Sequence, residues 1–294
     1  MKPADWAACK TDQKRSGDRL KKGVIGMIVP TVDNSFFSSL VCEVEKYMAA
    51  QGYLVLTASV GNQADREKEY LQKLAEMSEG LICVSGLNEL PENLLSEGFP
   101  LVWVDRRPRS SSSIPWIAND DARAMHKAAK DLIEKGCREI VLLPGFQAED
   151  EYSPRIEGYR QALKDYGLKY KEENILRRQA KKSSEAESEE LIEKLLKDGR
   201  KIDGVIASSD RAAFGVMSAL NKVGYYVPED VRLMAFDNSP FAAIGPASLS
   251  AIDRHPDVLA QKACQVLLGL IHQERDVLPE TIVDVELVER TSTR

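Results

Sequence analysis

DGVIASSDRAAFGVMSALNKVGYYVPEDVRLMAFDN, residues 203–238, decides how this chain folds. Residues 203–208 form a short apolar run that closes on polar serines. A helix is predicted from Asp210 to Val223, and VRLMAF (231–236) is apolar again before Asp237-Asn238-Ser239-Pro240. Strand, helix and strand with short connections make the repeating unit of a parallel α/β sheet. A carboxylate set straight after a buried strand needs a use: Asp237 caps a turn, does chemistry or holds something.

The same alternation extends in both directions. GVIGMIV (23–29) precedes SFFSSLVCEVEKYMAAQG (35–52), where Phe36, Leu40, Val44 and Met48 recur at helical spacing and Gly52 supplies the stop. YLVLTAS (53–59) and a helix over 64–77 follow. LICVS (81–85), LVWVD (101–105), SIPWIA (113–118) and EIVLLPG (139–145) read as strands, with a helix around 120–135. Helices are predicted at 154–166, 184–197 and 256–273, and strands near 174–178 and over 280–288. The strands are continuous apolar runs, as expected when both sheet faces are covered. Ser110–Ser113 reads as a surface loop.

At 294 residues the chain suits two lobes. With 29% charged and 43% apolar residues it has the make-up of a soluble globular protein. A net charge of −6 argues against broad nucleic-acid binding by this chain, because phosphate contacts need a basic surface. No apolar run approaches the roughly 18 residues of a membrane span. Residues 1–22 are polar, contain no secretory signal and read as a tail or linker remnant. The five cysteines are scattered; Cys42, Cys83 and Cys264 lie among apolar neighbours and are read as buried free thiols, which fits a reducing cytoplasm.

Several chemistries have no signature here. The sequence contains neither G-x-G-x-x-G after a strand nor G-x-x-x-x-G-K-[ST] nor G-x-S-x-G. His126, His255 and His272 show no zinc-ligand spacing, and neither a metal nor a cofactor is expected.

Ligands of open α/β sheets bind beyond the carboxyl ends of the strands. The residues at those positions are Thr31–Phe37, Ser85-Gly86, Asp105-Arg106, Asn119-Asp120, Glu149–Arg155, Ser208–Asp210 and Asp237-Asn238. They suit a neutral, hydroxyl-rich small molecule, although each has a plainer reading. Asp33 or Asn34 and Asp210 can be helix caps. Phe36 and Phe37 are adjacent, so both cannot face the core of one helix, and one is expected to point elsewhere. Arg155 falls in the first turn of a helix begun by Ser153-Pro154, where a cation opposes the helix dipole. A structural salt bridge would explain it; a binding arginine, whose planar fork donates to paired oxygens, is the preferred reading.

Taken together, residues 23–294 resemble the effector-binding core of the lactose/galactose-repressor family of bacterial transcription regulators. IGMIVPTVDNSFF (25–37) resembles the family's opening I-G-x-I-V-P-D-x-x-N-P-F-F, with Ser35 in place of proline. LVWVDRR (101–107) resembles V-V-x-V-D-R, and RIEGYRQAL (155–163) resembles R-x-x-G-F-x-x-A-L. The stretch from Ser208 to Ala243 resembles the run from N-D-x-x-A-x-G through V-P-x-D-V-x-x-x-G-F-D-D.

The resemblance implies two doubly wound parallel-sheet lobes joined by three crossovers near Asn119, Leu249 and Val277, with a ligand cleft between them. Residues 23–118 and 250–277 would form the N-terminal lobe, and 119–249 and 278–294 the C-terminal lobe. Phe36 and Phe37 would line the pocket, Arg155 would grip ligand hydroxyls or a carboxylate, and Asp237 would accept from ligand hydroxyls. Ser85, Asn119, Ser209 and Asp210 complete the ligand-binding set. Asn119 stands where the family has aspartate, Ser209 replaces a frequent asparagine, and Ala180 lies near an aromatic position.

The implied partners are a small-molecule effector, a second copy in a homodimer, and DNA through a helix-turn-helix headpiece for which residues 1–22 are too short. The expected function is that of a cytoplasmic effector-binding and dimerisation core of a bacterial transcriptional regulator, whose closure on a sugar or sugar-like effector tunes DNA binding. A headless cytoplasmic sugar-binding protein is the alternative. A sugar hydrolase using carboxylates such as Asp210 and Asp237 is the third.

Overall fold

In a computed structural model, residues 23–87, 89–90, 98–108, 113–145, 153–179, 182–244, 247–274 and 278–294 are described. The tail, most of the serine run, Glu149–Glu151, Ala180 and the Val277 crossover lie outside them. The chain divides into two compact units. Of the described residues, one unit holds those within 23–31, Val41–Trp116 and Ala260–Glu280; the other holds those within Val32–Leu40, Ile117–Leu259 and Thr281–Arg294.

The first sheet contains β1 (Val24–Val29), β2 (Leu54–Ser59), β3 (Gly80–Cys83), β4 (Leu101–Val104), β5 (Trp116–Asn119) and β10 (Glu280–Val283), in the order β10-β5-β4-β3-β1-β2. The pairs β1–β2, β1–β3 and β3–β4 are parallel. Helices α1 (Ser35–Ala50) and α2 (Ala64–Met77) supply the connections. Leu71 of α2 buries itself with Ile28, Leu81, Cys83, Leu101 and Trp103 in one apolar cluster.

The second sheet contains β6 (Ile140–Leu143), β7 (Gly204–Ala207), β8 (Arg232–Phe236), β9 (Ser250–Asp253) and β11 (Glu286–Val288), in the order β11-β9-β8-β7-β6. Its strands are parallel except for β11, which runs antiparallel on β9. The helices of this unit are α3 (Asp121–Glu134), α4 (Pro154–Asp165), α5 (Ser184–Lys197) and α6 (Asp210–Lys222), and α7 (Pro256–Ile271) starts in it.

The second unit shows why its strands read as unbroken apolar runs. Ile140, Leu142, Ile206, Met234, Phe236 and Ile252 pack with Met125, Leu132, Ile156 and Tyr159 of α3 and α4. Their sequence neighbours Val141, Leu143, Val205, Leu233, Ala235 and Ala251 pack with Ile192, Leu195, Val216 and Leu220 of α5 and α6. Successive side chains of a strand point to opposite faces, and here both faces are covered.

Ser250–Asp253 is a strand paired in parallel with β8 in the second sheet. Three sequence expectations change. The strand expected near 174–178 is a single bridge, Leu142 to Ile175, after a 3-10 turn at Glu172–Asn174. The strand expected over 280–288 is two strands, one in each sheet. Cys42 is exposed, whereas Cys83 and Cys264 are buried as expected.

Candidate functional site

Parallel pairing brings the carboxyl ends of β6, β7, β8 and β9 to one edge of the second sheet. The residues that follow are Gly145, Ser208–Asp210, Asp237–Ser239 and Arg254. The segment Val32–Leu40, which carries Phe36 and Phe37, belongs to the same unit.

Asp237 stands at the centre of this group. Its φ is +90° and that of Asn238 +52°, a left-handed pair that Asp and Asn tolerate better than other side chains. The turn is tied down on every side. Asp237 N donates to Ile252 O at 3.0 Å, and Asn238 Nδ2 donates to Asp253 Oδ2 at 2.7 Å. Arg290 Nη2 donates to Asn238 Oδ1 at 2.6 Å. Local strain held by its surroundings in this way aims a side chain at the cost of conformational freedom.

The Asp237 carboxylate faces Arg254 and Asn34. Arg254 Nη1 lies 3.7 Å from Asp237 Oδ1, with the two side chains 4% and 3% exposed. The guanidinium carbon of Arg254 sits 3.8 Å from the centre of the Phe36 ring, and Phe37 meets Phe36 edge-on at 5.3 Å. Asn34 Oδ1 accepts from the amides of Phe36 at 2.9 Å and Phe37 at 3.2 Å, so Asn34 caps α1. Its Nδ2 donates to Asp237 Oδ2 at 3.4 Å. Phe36 and Phe37 are both buried, and the Arg254 guanidinium gives the Phe36 ring a buried partner that is not apolar.

Arg155 bridges rather than projects. Its Nε donates to Asp121 Oδ2 at 3.0 Å, its Nη1 donates to Ser208 O at 3.3 Å, and its guanidinium lies 4.5 Å from the Phe236 ring centre. The salt bridge weighed against a binding role is therefore present. It answers the unfavourable position of a cation in the first turn of α4, because Asp121 in the first turn of α3 balances it.

Ser208, Ser209 and Asp210 divide the labour after β7. Ser209 Oγ accepts from Ala212 N at 3.2 Å, so Ser209 and not Asp210 caps α6. Asp210 is buried, and its Oδ2 accepts from Ser239 N at 2.6 Å. Burial, and then the charge of Asp237, push the Asp210 carboxyl up to about 7, while the Ser239 hydrogen bonds and the Arg290 charge pull it back. Asp210 Oδ1 and Ser208 Oγ are buried without a hydrogen-bond partner among the described residues.

The remaining two predicted site residues are engaged within the protein. Asn119 Nδ2 donates to the carbonyls of Arg254 at 3.1 Å and Val283 at 3.0 Å, and its Oδ1 accepts from Arg254 Nε at 3.2 Å. It orients the arginine that faces Asp237. Ser85 lies in the first unit, where its Oγ donates to Glu67 Oε1 at 2.5 Å and accepts from Leu87 N at 3.0 Å. Burial raises the Glu67 carboxyl above its usual range.

Arg254 is the residue that sequence reasoning missed. It follows β9, whose four residues Ser-Ala-Ile-Asp are too short and too polar at both ends to stand out as a strand. Adding Asp253-Arg254 to the strand-end positions was the signal available. Among the described residues no cluster of His, Cys, Asp and Glu could hold a metal ion, and no helix is long and apolar enough to cross a membrane.

Comparisons with known proteins agree on one group. Residues 129–293 match the family described as the periplasmic binding protein-like domain. The ribose operon repressor of Halalkalibacterium halodurans is 26% identical over 92% of this chain and 80% of its own length. The HTH-type transcriptional repressor PurR of Photorhabdus laumondii is 27% identical over 91% and 79%. Among solved structures, a transcriptional regulator of the LacI family from Sanguibacter keddieii matches with a TM-score of 0.81 and 28% identity, covering 92% of this chain and 98% of that one. A periplasmic binding protein/LacI transcriptional regulator from Alkaliphilus metalliredigens, solved with D-xylulofuranose, matches with a TM-score of 0.78 and 26% identity, covering 92% and 99%.

Proposed function

This chain belongs to the periplasmic binding protein-like family and is the effector-binding part of a lactose/galactose-type transcription regulator; on that premise we propose that the strand ends of its second unit hold a neutral, hydroxyl-rich effector, a sugar or a sugar-like molecule. Its relatives are repressors rather than enzymes. The observation that carries the proposal is the buried Asp237 carboxylate, fixed in a left-handed turn and facing Arg254 and Asn34. Asp237 accepts from ligand hydroxyls, Phe36 and Phe37 pack on an apolar sugar face, Arg155 donates to ligand oxygens, and Asp210 serves as a further polar contact. The ribose repressor among the relatives and the D-xylulofuranose bound to a structural neighbour favour a pentose over larger ligands.

Effector binding drives closure of the lobes, and closure tunes DNA binding by a helix-turn-helix headpiece in a cytoplasmic homodimer. Such coupling requires that the effector bind the two arrangements with different affinity. The acidic balance of the chain supports leaving DNA contact to a headpiece.

Thermal unfolding of the protein against pentoses, hexoses, sugar phosphates, nucleosides and purines tests the proposal. A ligand at a hundred times its dissociation constant adds about 2.7 kcal/mol of apparent stability. Stabilisation by a sugar that is lost in Arg155→Ala supports the reading. Stabilisation by a purine alone replaces the effector class, and no stabilisation by any compound removes the reading.

A further inference from the structure

Three consecutive residues after β7 differ in what their side chains do. Ser209 spends its hydroxyl oxygen on the α6 cap, whereas Ser208 Oγ and Asp210 Oδ1 are buried with no hydrogen bond among the described residues. Ser208 is only 7% exposed, so water does not simply solvate its hydroxyl. A buried hydroxyl left unpaired is costly, and its retention calls for a partner that comes and goes.

The surroundings of Ser208 point to that partner. Its carbonyl accepts from Arg155 Nη1, which fixes the guanidinium alongside it. Gly145, which follows β6 with a φ of +101°, faces the same place. A Cβ at position 145 would lie 3.2 Å from Ser208 Cβ, 3.6 Å from Ser208 Oγ and 3.8 Å from Arg155 Nη1. Glycine therefore leaves open a space that both the hydroxyl and the guanidinium border.

We infer that Ser208 is a specificity-determining contact of this site, its hydroxyl pairing beside Arg155 with a hydroxyl or ring oxygen of a neutral sugar. The inference rests on the effector reading above and names a residue that reading does not use. A serine hydroxyl both donates and accepts, as a sugar hydroxyl does, so the pair can form in either direction. Arg155 adds a donor from α4, and Asp210, two residues beyond Ser208 at the start of α6, carries the unpaired Oδ1. A sugar that places an oxygen at this point satisfies the orphan hydroxyl; one that lacks the oxygen leaves it buried and unpaired, which is how such sites discriminate.

The test compares wild type with Ser208→Ala in two measurements. Unliganded thermal unfolding is measured first, and the midpoint of the variant is expected to equal or exceed that of wild type. A fall of several degrees overturns the inference, since the hydroxyl then serves the fold. Calorimetric titration with D-ribose, D-xylulose and D-galactose follows. For the sugar that binds wild type, affinity is expected to fall about three- to tenfold in the variant, the range for one neutral hydrogen bond. Discrimination between that sugar and its deoxy analogues is expected to shrink for one deoxy position only. Unchanged affinity and unchanged discrimination overturn this inference while leaving the effector reading intact. No binding of any of the three sugars to wild type overturns both.

Discussion

The guanidinium carbon of Arg254 lies 3.8 Å from the centre of the Phe36 ring, and the same side chain faces Asp237 across 3.7 Å. A single buried arginine thus joins the aromatic and the acidic components of the site. Removing it takes a positive charge away from a nearly solvent-free carboxylate, and breaking a buried pair in this way costs about 3–5 kcal/mol. Arg254→Met is expected to lower the urea midpoint accordingly. Arg254→Lys keeps the charge but loses the flat stacking surface, and its midpoint should fall between the two.

Arg155 ties the starts of α3 and α4 together through Asp121 and covers the Phe236 ring. Loss of one charged hydrogen bond and one stacking contact predicts that Arg155→Ala costs about 2 kcal/mol in denaturant unfolding. Arg155→Lys should recover part of that stability, because the charge opposite Asp121 survives. It should not recover ligand binding, which needs the planar fork.

Asp210 gives the fold a pH dependence of unusual sign for a carboxylate. Its carboxyl is held at about 7 in the folded protein, by burial first and by Asp237 second, against 3.8 for the free group. Between those values the folded state binds the extra proton, so stability falls as pH rises from about 4 to about 7. Asp210→Asn keeps an acceptor for Ser239 N and cannot ionise. The variant should match wild type near pH 4 and exceed it by of the order of 2–4 kcal/mol at pH 8. Parallel stability curves for the two proteins would show that Asp210 is ionised throughout.

Two helical glycines mark the closest approaches in the second unit. A Cβ on Gly158 of α4 would lie 2.0 Å from Ala122 O, and one on Gly215 of α6 would lie 2.1 Å from Glu185 O. Alanine ordinarily improves a helix by about 1 kcal/mol over glycine. Here overpacking against rigid backbone should outweigh that gain, so Gly158→Ala and Gly215→Ala are each expected to lose about 1–3 kcal/mol in thermal unfolding. Mid-helix glycine replaced without loss would contradict the packing of these helix pairs.

The fold was legible where pattern and period agree. The helices 64–77 and 184–197 were placed at their observed ends, because their apolar stripes and polar flanks coincide with the limits of the period. Legibility failed where strands are short or change sheets. β9 is four residues with Ser250 and Asp253 at its ends, and 280–288 looks continuous although its two halves serve different sheets. In the site, Asp237 announced itself by ending an apolar run and Arg155 by opposing a helix dipole. Arg254 carried no such mark, because it depends on an unrecognised strand. The cap of α6 was not legible either: Asp210 was expected in that role, and one step of register gives Ala212 N to the Ser209 hydroxyl instead.

The most direct test of the account is calorimetric titration of a stabilising panel compound into wild type and Asp237→Asn, with near-ultraviolet circular dichroism to verify that the variant keeps its packing. The account predicts a folded variant that binds at least about tenfold more weakly, the loss of one charge-assisted hydrogen bond. Equal affinity in a folded variant would contradict the claim that Asp237 holds the effector.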